Sequence, residues 1–148
     1  MLIQVISAFF AILAFSYVNN VPKRFLLFCG LEGAVGWFVY LLCLPPFGSV
    51  MANFFGALAL ALLAHIFARV FKAPVTVFLI PGILIIVPGG GLYQAAYQLF
   101  LGTWGMAKTY LMEALQIAGM IALAIFIVDS FFTIVSKKFP KKKEEEEL

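Results

Sequence analysis

Residues Ile80–Gln94 read "IPGILIIVPGGGLYQ". The stretch is strongly apolar, yet it holds the residues that most often interrupt a helix. Pro81 and Pro88 each lack an N–H and crowd the preceding turn. Gly82, Gly89, Gly90 and Gly91 give access to left-handed backbone. The apolar run before the second proline, Val75 to Val87, is about 13 residues, or roughly 20 Å as a helix. A hydrocarbon core is about 30 Å thick, so that run is too short to cross it alone. Either the break lies inside the membrane or the segment re-enters. Backbone groups freed at an intramembrane break must be sheltered by protein or line a wet cavity. Transporters use such discontinuous helices to build midplane binding sites. The plain alternative is a kinked helix followed by an ordinary loop.

The rest of the chain supports the bilayer as solvent. Of its 148 residues, 64% are hydrophobic and 11% charged, with a mean hydropathy of +1.08. A soluble domain is nearer half apolar and a quarter charged. The expected class is therefore all-α: a polytopic membrane protein of about five transmembrane helices, the fourth one broken. The spans are read at Leu2–Val18, Phe25–Leu44, Val50–Phe71, Val75 to about Leu101, and about Tyr110–Val135. Residues 1–136 form one transmembrane domain and residues 137–148 a charged tail. Met1–Val18 has its charges after the apolar run, at Lys23 and Arg24, the wrong side for a cleaved signal peptide. Cys29 and Cys43 share one helix about 21 Å apart, beyond disulfide reach, and read as packing residues.

Orientation follows from the basic residues. With the N-terminus outside, Lys23, Arg24, Arg69, Lys72 and the five tail lysines lie inside, and Lys108 alone lies outside. Cytoplasmic loops carry the excess of Lys and Arg, so an odd number of spans gives an N-out, C-in protein. The tail lysines suit anionic headgroups, and the chain's net charge of +3 reports topology, with no call for nucleic acid.

Four ionisable residues fall within the spans: Glu32, His65, Glu113 and Asp129. Charge inside a bilayer is costly and by default functional. Glu32 sits beside Gly30, Gly33 and Gly36, small residues at spacing three that permit close helix approach. A carboxyl group at such an interface is a candidate proton carrier, and so is Asp129, which has the alternative of pairing with tail lysines. His65 and Arg69 are four apart and suit a structural helix-surface pair. Past the break, Tyr93 and Tyr97, and likewise Gln94 and Gln98, repeat at i,i+4 on one helical face. That stripe suits a substrate path or an interfacial aromatic belt.

One histidine, no Cys-x-x-Cys and no Walker-type loop argue against metal, cofactor or hydrolase chemistry, so no enzyme, cofactor or metal is expected. The segments "NNVPKRFLLFCGLEGAVGW" (Asn19–Trp37) and "ARVFKAPVTVFLIPGILIIVPGGGLYQ" (Ala68–Gln94) resemble the threonine/serine exporter family. The most specific run comprises Lys72, Pro74, Phe78, Pro81, Gly82, Ile83, Val87, Pro88, Gly89, Gly90 and Tyr93. The resemblance is to the short five-span module of that family. Ile85 stands where family members often carry a further proline. What the resemblance implies is a multi-pass protein of the bacterial inner membrane. It would be the small subunit of a proton-coupled exporter of threonine, serine or related carboxylic acids, working with a second membrane subunit. The candidate path comprises Pro81, Gly82, Pro88, Gly89, Gly90, Gly91, Tyr93 and Gln94, with Glu32 or Asp129 carrying the coupling proton. The alternative is a non-transporting assembly subunit.

Overall fold

The first apolar run, Leu2–Val18, is helix α1. In the computed structural model, which describes residues 1–138, every regular element is helical. A single 3-10 turn at Lys23–Phe25 leads into the long helix α2, Leu26–Phe71. Then follow α3 (Thr76–Ile83), α4 (Gly89–Phe100) and α5 (Trp104–Lys138). The expected tail lies outside the described residues, apart from its first two, which end α5.

Helix α2 is two arms joined at a sharp bend. Gly48 has φ 76° and ψ 174°, outside the helical region, and Pro45 and Pro46 precede it. Only glycine adopts that geometry at low cost. Each arm, 26–47 and 49–71, has roughly 22 residues and is about 33 Å long, enough for a hydrocarbon core. The sequence reading ended the second segment at Pro45-Pro46; both prolines are instead helical, and the turn falls at Gly48. The arms fold back on each other, with Leu60 against Gly36 and the ring of Phe47 5.6 Å from that of Phe55.

Helix α1 lies against the first arm. A Cβ on Gly30 would meet Phe9, and one on Gly33 would meet Ile12. The glycine strip is thus a packing surface, its residues serving two different neighbours: α1 through Gly30 and Gly33, the second arm through Gly36.

Two clusters hold the remaining helices. Phe78 of α3 packs on Phe25, Phe67 and Phe71, with Cys29, Ala64 and Ala68 alongside. Ile86, just after α3, packs with Ala57, Leu60, Ile117, Ile121 and Ala124, tying α5 to the second arm of α2. Ala95 and Ala107 are both buried where α4 lies along the start of α5. Lys108, expected in a loop, lies inside α5. Residues 23–71 and 104–135 are long and apolar enough to cross a membrane, and α1 is a shorter apolar helix. At 8 and 12 residues, α3 and α4 are each too short to do so.

Candidate functional site

The seven largest side chains removed from solvent are Phe78, Ile12, Leu60, Glu32, Pro81, Cys29 and Ser16. Six are easily explained. Ser16 donates to the Ile12 carbonyl at 2.7 Å, and the Cys29 thiol faces the Val77 carbonyl at 3.7 Å. Glu32 is different. Both of its carboxyl oxygens are buried without a hydrogen-bond partner. They face Gly82 of α3, where an added Cβ would lie 2.6 Å from Oε1 and 3.4 Å from Leu60. A buried polar group with no partner is costly and calls for an explanation. The expected interior position of Glu32 is therefore met, and its neighbour is one of the Pro-Gly residues of the broken segment.

The break itself lies elsewhere than the sequence suggests. Pro81 and Gly82 are within α3, and Gly89, Gly90 and Gly91 form the first turn of α4. None of these glycines has a positive φ; among the described glycines only Gly48 and Gly102 do. The expectation that they supply left-handed backbone is corrected. Helix is lost instead over the aliphatic residues Leu84–Val87, where Pro88 cannot donate to continue the ladder. There the chain tightens into i→i−3 bonds: Leu84 to Pro81, Ile85 to Gly82 and Ile86 to Ile83. No backbone donor reaches the carbonyls of Leu84, Ile85 or Ile86 among the described residues.

Ile85, Ile86 and Val87 line a cavity of about 430 Å³. Pro88, Gly90, Gly91 and Gln94, four of the residues expected on a substrate path, line it too. Residues of the unwound segment thus border a partly open cleft, and a wet cleft is one circumstance in which a membrane protein tolerates unwound backbone. The opposite wall was not foreseen. It carries Tyr40, Ser49, Asn53, Tyr110 and Glu113. The Ser49 hydroxyl donates to Glu113 Oε1 at 2.6 Å, and the Asn53 amide donates back to the Ser49 carbonyl at 2.8 Å. A signal for this wall existed: Ser49 and Asn53 are polar and four apart at the start of an otherwise apolar helix.

Several expected residues fall outside the cavity. Tyr93 is 67% exposed and stacks on Tyr97, with ring centroids 6.3 Å apart. Gly89 has open space around it. Gly82 lies against Glu32, and Pro81 lines a separate cleft with Asn19, Val21 and Thr76, so neither lines this cavity. Asp129 does not join Glu32. It is exposed on α5 and pairs with His65 Nε2 at 3.4 Å. His65 in turn stacks on Phe132, and Arg69 lies over the same ring, 4.1 Å from its centroid. Arg69 Nη1 also sits 3.2 Å from His65 Nδ1, so the i,i+4 pair is present as expected.

A family model described as "Threonine/Serine exporter, ThrE" matches residues 4–131. The chain belongs to the threonine/serine exporter family. The searches of curated proteins and of solved structures give no match. The family match spans all five helices, including the Glu32–Gly82 contact and the cavity. Together with the long apolar helices it makes this exporter-family chain a membrane protein concerned with transport and export. Membership points to a transport role in place of a catalytic one.

Proposed function

We propose that the chain is the small subunit of a proton-coupled exporter of threonine, serine or a related small carboxylic acid, working with a second membrane subunit in the bacterial inner membrane. The observation that carries this reading is Glu32: a carboxyl group without a partner, in the most enclosed part of the molecule, against the helix that leads into the break. Such a group has little structural use, since a partnerless carboxyl group only weakens packing. Its use is to take up and release a proton when α3 moves.

The substrate path in this reading runs through the 430 Å³ cavity. That volume falls within the range of small-molecule pockets, roughly 300–1,000 Å³. Pro88, Gly90, Gly91 and Gln94 form one side, and the N–H groups of the first turn of α4 lack intrahelical partners, as at every helix start. Gly82 serves the proton side, leaving the space the Glu32 carboxyl needs.

The topology in this reading has five spans. They are α1, the two arms of α2, the broken unit α3 plus α4, and α5. The N-terminus is outside and the C-terminus inside, which places nine of the ten basic residues in the cytoplasm. A five-span unit of this orientation suits one inverted half of a two-part transporter. The test is threonine and serine efflux from cells producing the chain with its companion subunit. Efflux should exceed that of cells lacking either subunit and should stop when a protonophore collapses the gradient. Efflux that is indifferent to the protonophore contradicts the proposal.

A further inference from the structure

Glu32 is walled differently on its two sides. Its carboxyl is fully enclosed, and neither oxygen has a partner among the described residues. Towards the 430 Å³ cavity stands Leu60. Beyond it is Ile86, which shares an apolar cluster with Leu60 and also lines that cavity. Towards the turn between α1 and α2 the neighbours are polar. Cys29 lies one helical turn before Glu32 on the same face, and its thiol is 3.7 Å from the Val77 carbonyl. The buried Ser16 of α1 interacts with that thiol. The Ser16 hydroxyl donates to the Ile12 carbonyl, which leaves its oxygen able to accept. Val77 also borders a cleft of about 270 Å³, lined by Asn19, Asn20 and Pro22 of the turn and by Thr76 and Pro81 of α3. Pro81 is the chain neighbour of Gly82, which lies against Glu32. The carboxyl is thus divided from this cleft by α3 and a few polar atoms, and from the cavity by an apolar cluster.

We infer that in the substrate-free protein Glu32 exchanges its proton with the cleft at the α1–α2 turn and is sealed from the 430 Å³ cavity, with Ser16 and Cys29 as positioning residues that line the route. The inference rests on the reading of Glu32 as the proton carrier. Water carries a proton to or from a buried carboxyl only where polar groups hold it; hydroxyl, thiol and carbonyl do so, and aliphatic side chains do not. A shift of α3 that opens the wall at Val77 and Pro81 admits that water. The Glu32 O–H bond then breaks, its electron pair stays on the carboxylate, and the proton leaves on a water of the cleft; loading is the reverse. Among the described residues the titratable group beside Glu32 is the Cys29 thiol, while α1, α3 and the second arm present Ile12, Ser16, Gly82 and Leu60 to this region. In the proposed topology the cleft faces the cytoplasm, where an exporter driven by the proton gradient delivers its proton. Access from the cavity requires Leu60 and Ile86 to separate, a step that belongs to the substrate-loaded protein.

The experiment is infrared difference spectroscopy on proton-tight proteoliposomes holding the full chain with its companion subunit, without threonine. The readout is the carbonyl-stretch band of a protonated carboxylic acid, assigned to Glu32 by its loss in Glu32→Gln. Sidedness is fixed by Asn20→Cys in a Cys43→Ser background, labelled with a membrane-impermeant maleimide. A pH step on the side that labels Asn20→Cys should change the band at once. A step on the opposite side should change it only after a protonophore is added. Ser16→Ala and Cys29→Val should each slow the response by about tenfold, the rate equivalent of one hydrogen bond lost along the route. Cys29→Ser keeps a polar atom there and should respond as the wild type does. If the band follows the opposite side, or both sides equally, the inference is overturned and Glu32 remains a proton carrier. If no band is lost in Glu32→Gln, or if the band answers to neither side even with the protonophore, the proton-carrier reading falls and this inference with it. If Ser16→Ala and Cys29→Val both keep the wild-type rate, the route along them is overturned.

Discussion

The carboxyl group of Glu32 occupies the space that a side chain on Gly82 would need. A Cβ there would lie 2.6 Å from Oε1 and 3.0 Å from the carboxyl carbon. The two residues belong to different helices, 50 positions apart in the sequence, and they meet where no water reaches. The lack of a side chain at position 82 is a requirement of position 32.

Gly82→Ala should therefore destabilise the protein by about 1–3 kcal/mol, the usual cost of an overpacked core site. Thermal unfolding in detergent measures it. The cost should shrink in a Glu32→Ala background, because the two changes share one space and are not additive. Equal costs in both backgrounds would mean that the two residues do not compete for that space.

A similar test applies to Gly36 and Leu60. A Cβ on Gly36 would lie 2.5 Å from two atoms of the Leu60 side chain, and Leu60 is completely buried. Gly36→Ala alone and Leu60→Ala alone should each lower the melting temperature, with Leu60→Ala costing about 2–5 kcal/mol. The double variant should be more stable than the sum of the two effects implies. Strict additivity would place the arms of α2 further apart than described.

Gly89 and Gly90 should tolerate alanine. Neither has a positive φ, and a Cβ on either meets nothing within 4 Å. Replacing a helical glycine whose conformation alanine can share stabilises by about 0.4–1 kcal/mol. Gly89→Ala should keep both complex formation and transport. Loss of either would show that the glycine at the start of α4 is needed for contact with a substrate or a neighbouring chain.

These glycines also mark the limit of what the sequence tells. Composition and charge order were enough to read an all-helical, membrane-type chain, and α1 runs over the same residues as the first apolar stretch. The existence of the break was legible in Pro81 and Pro88. Its location was not, because proline and glycine are tolerated within helices when tertiary contacts support them. Phe78 and Ile86 supply those contacts from either side. The burial of Glu32 was foreseeable from the Gly30, Gly33 and Gly36 strip. The partner wall of the cavity was not, since Ser49, Asn53 and Glu113 lie on two helices whose approach no local pattern encodes. Asp129 and Glu32 look equivalent as isolated acids in apolar segments. Only the fold separates them, one exposed beside His65 and the other enclosed.

Asp129→Asn follows from that difference. The side chain of Asp129 is 67% exposed, and its ion pair among the described residues is with His65. The carboxylate itself is largely screened by solvent, so removing its charge should cost about 1 kcal/mol or less. Threonine export by this variant should remain near wild type and should keep its sensitivity to a protonophore. Loss of that sensitivity would move the coupling role from Glu32 to Asp129.

The most direct test compares two modes of transport in vesicles carrying Glu32→Gln with its companion subunit. Glutamine keeps the volume beside Gly82 and cannot exchange a proton. Accumulation of labelled threonine driven by an imposed proton gradient should be lost. Exchange of labelled for unlabelled threonine, with no gradient, should persist. Gradient-driven accumulation at the wild-type rate in Glu32→Gln would contradict the account.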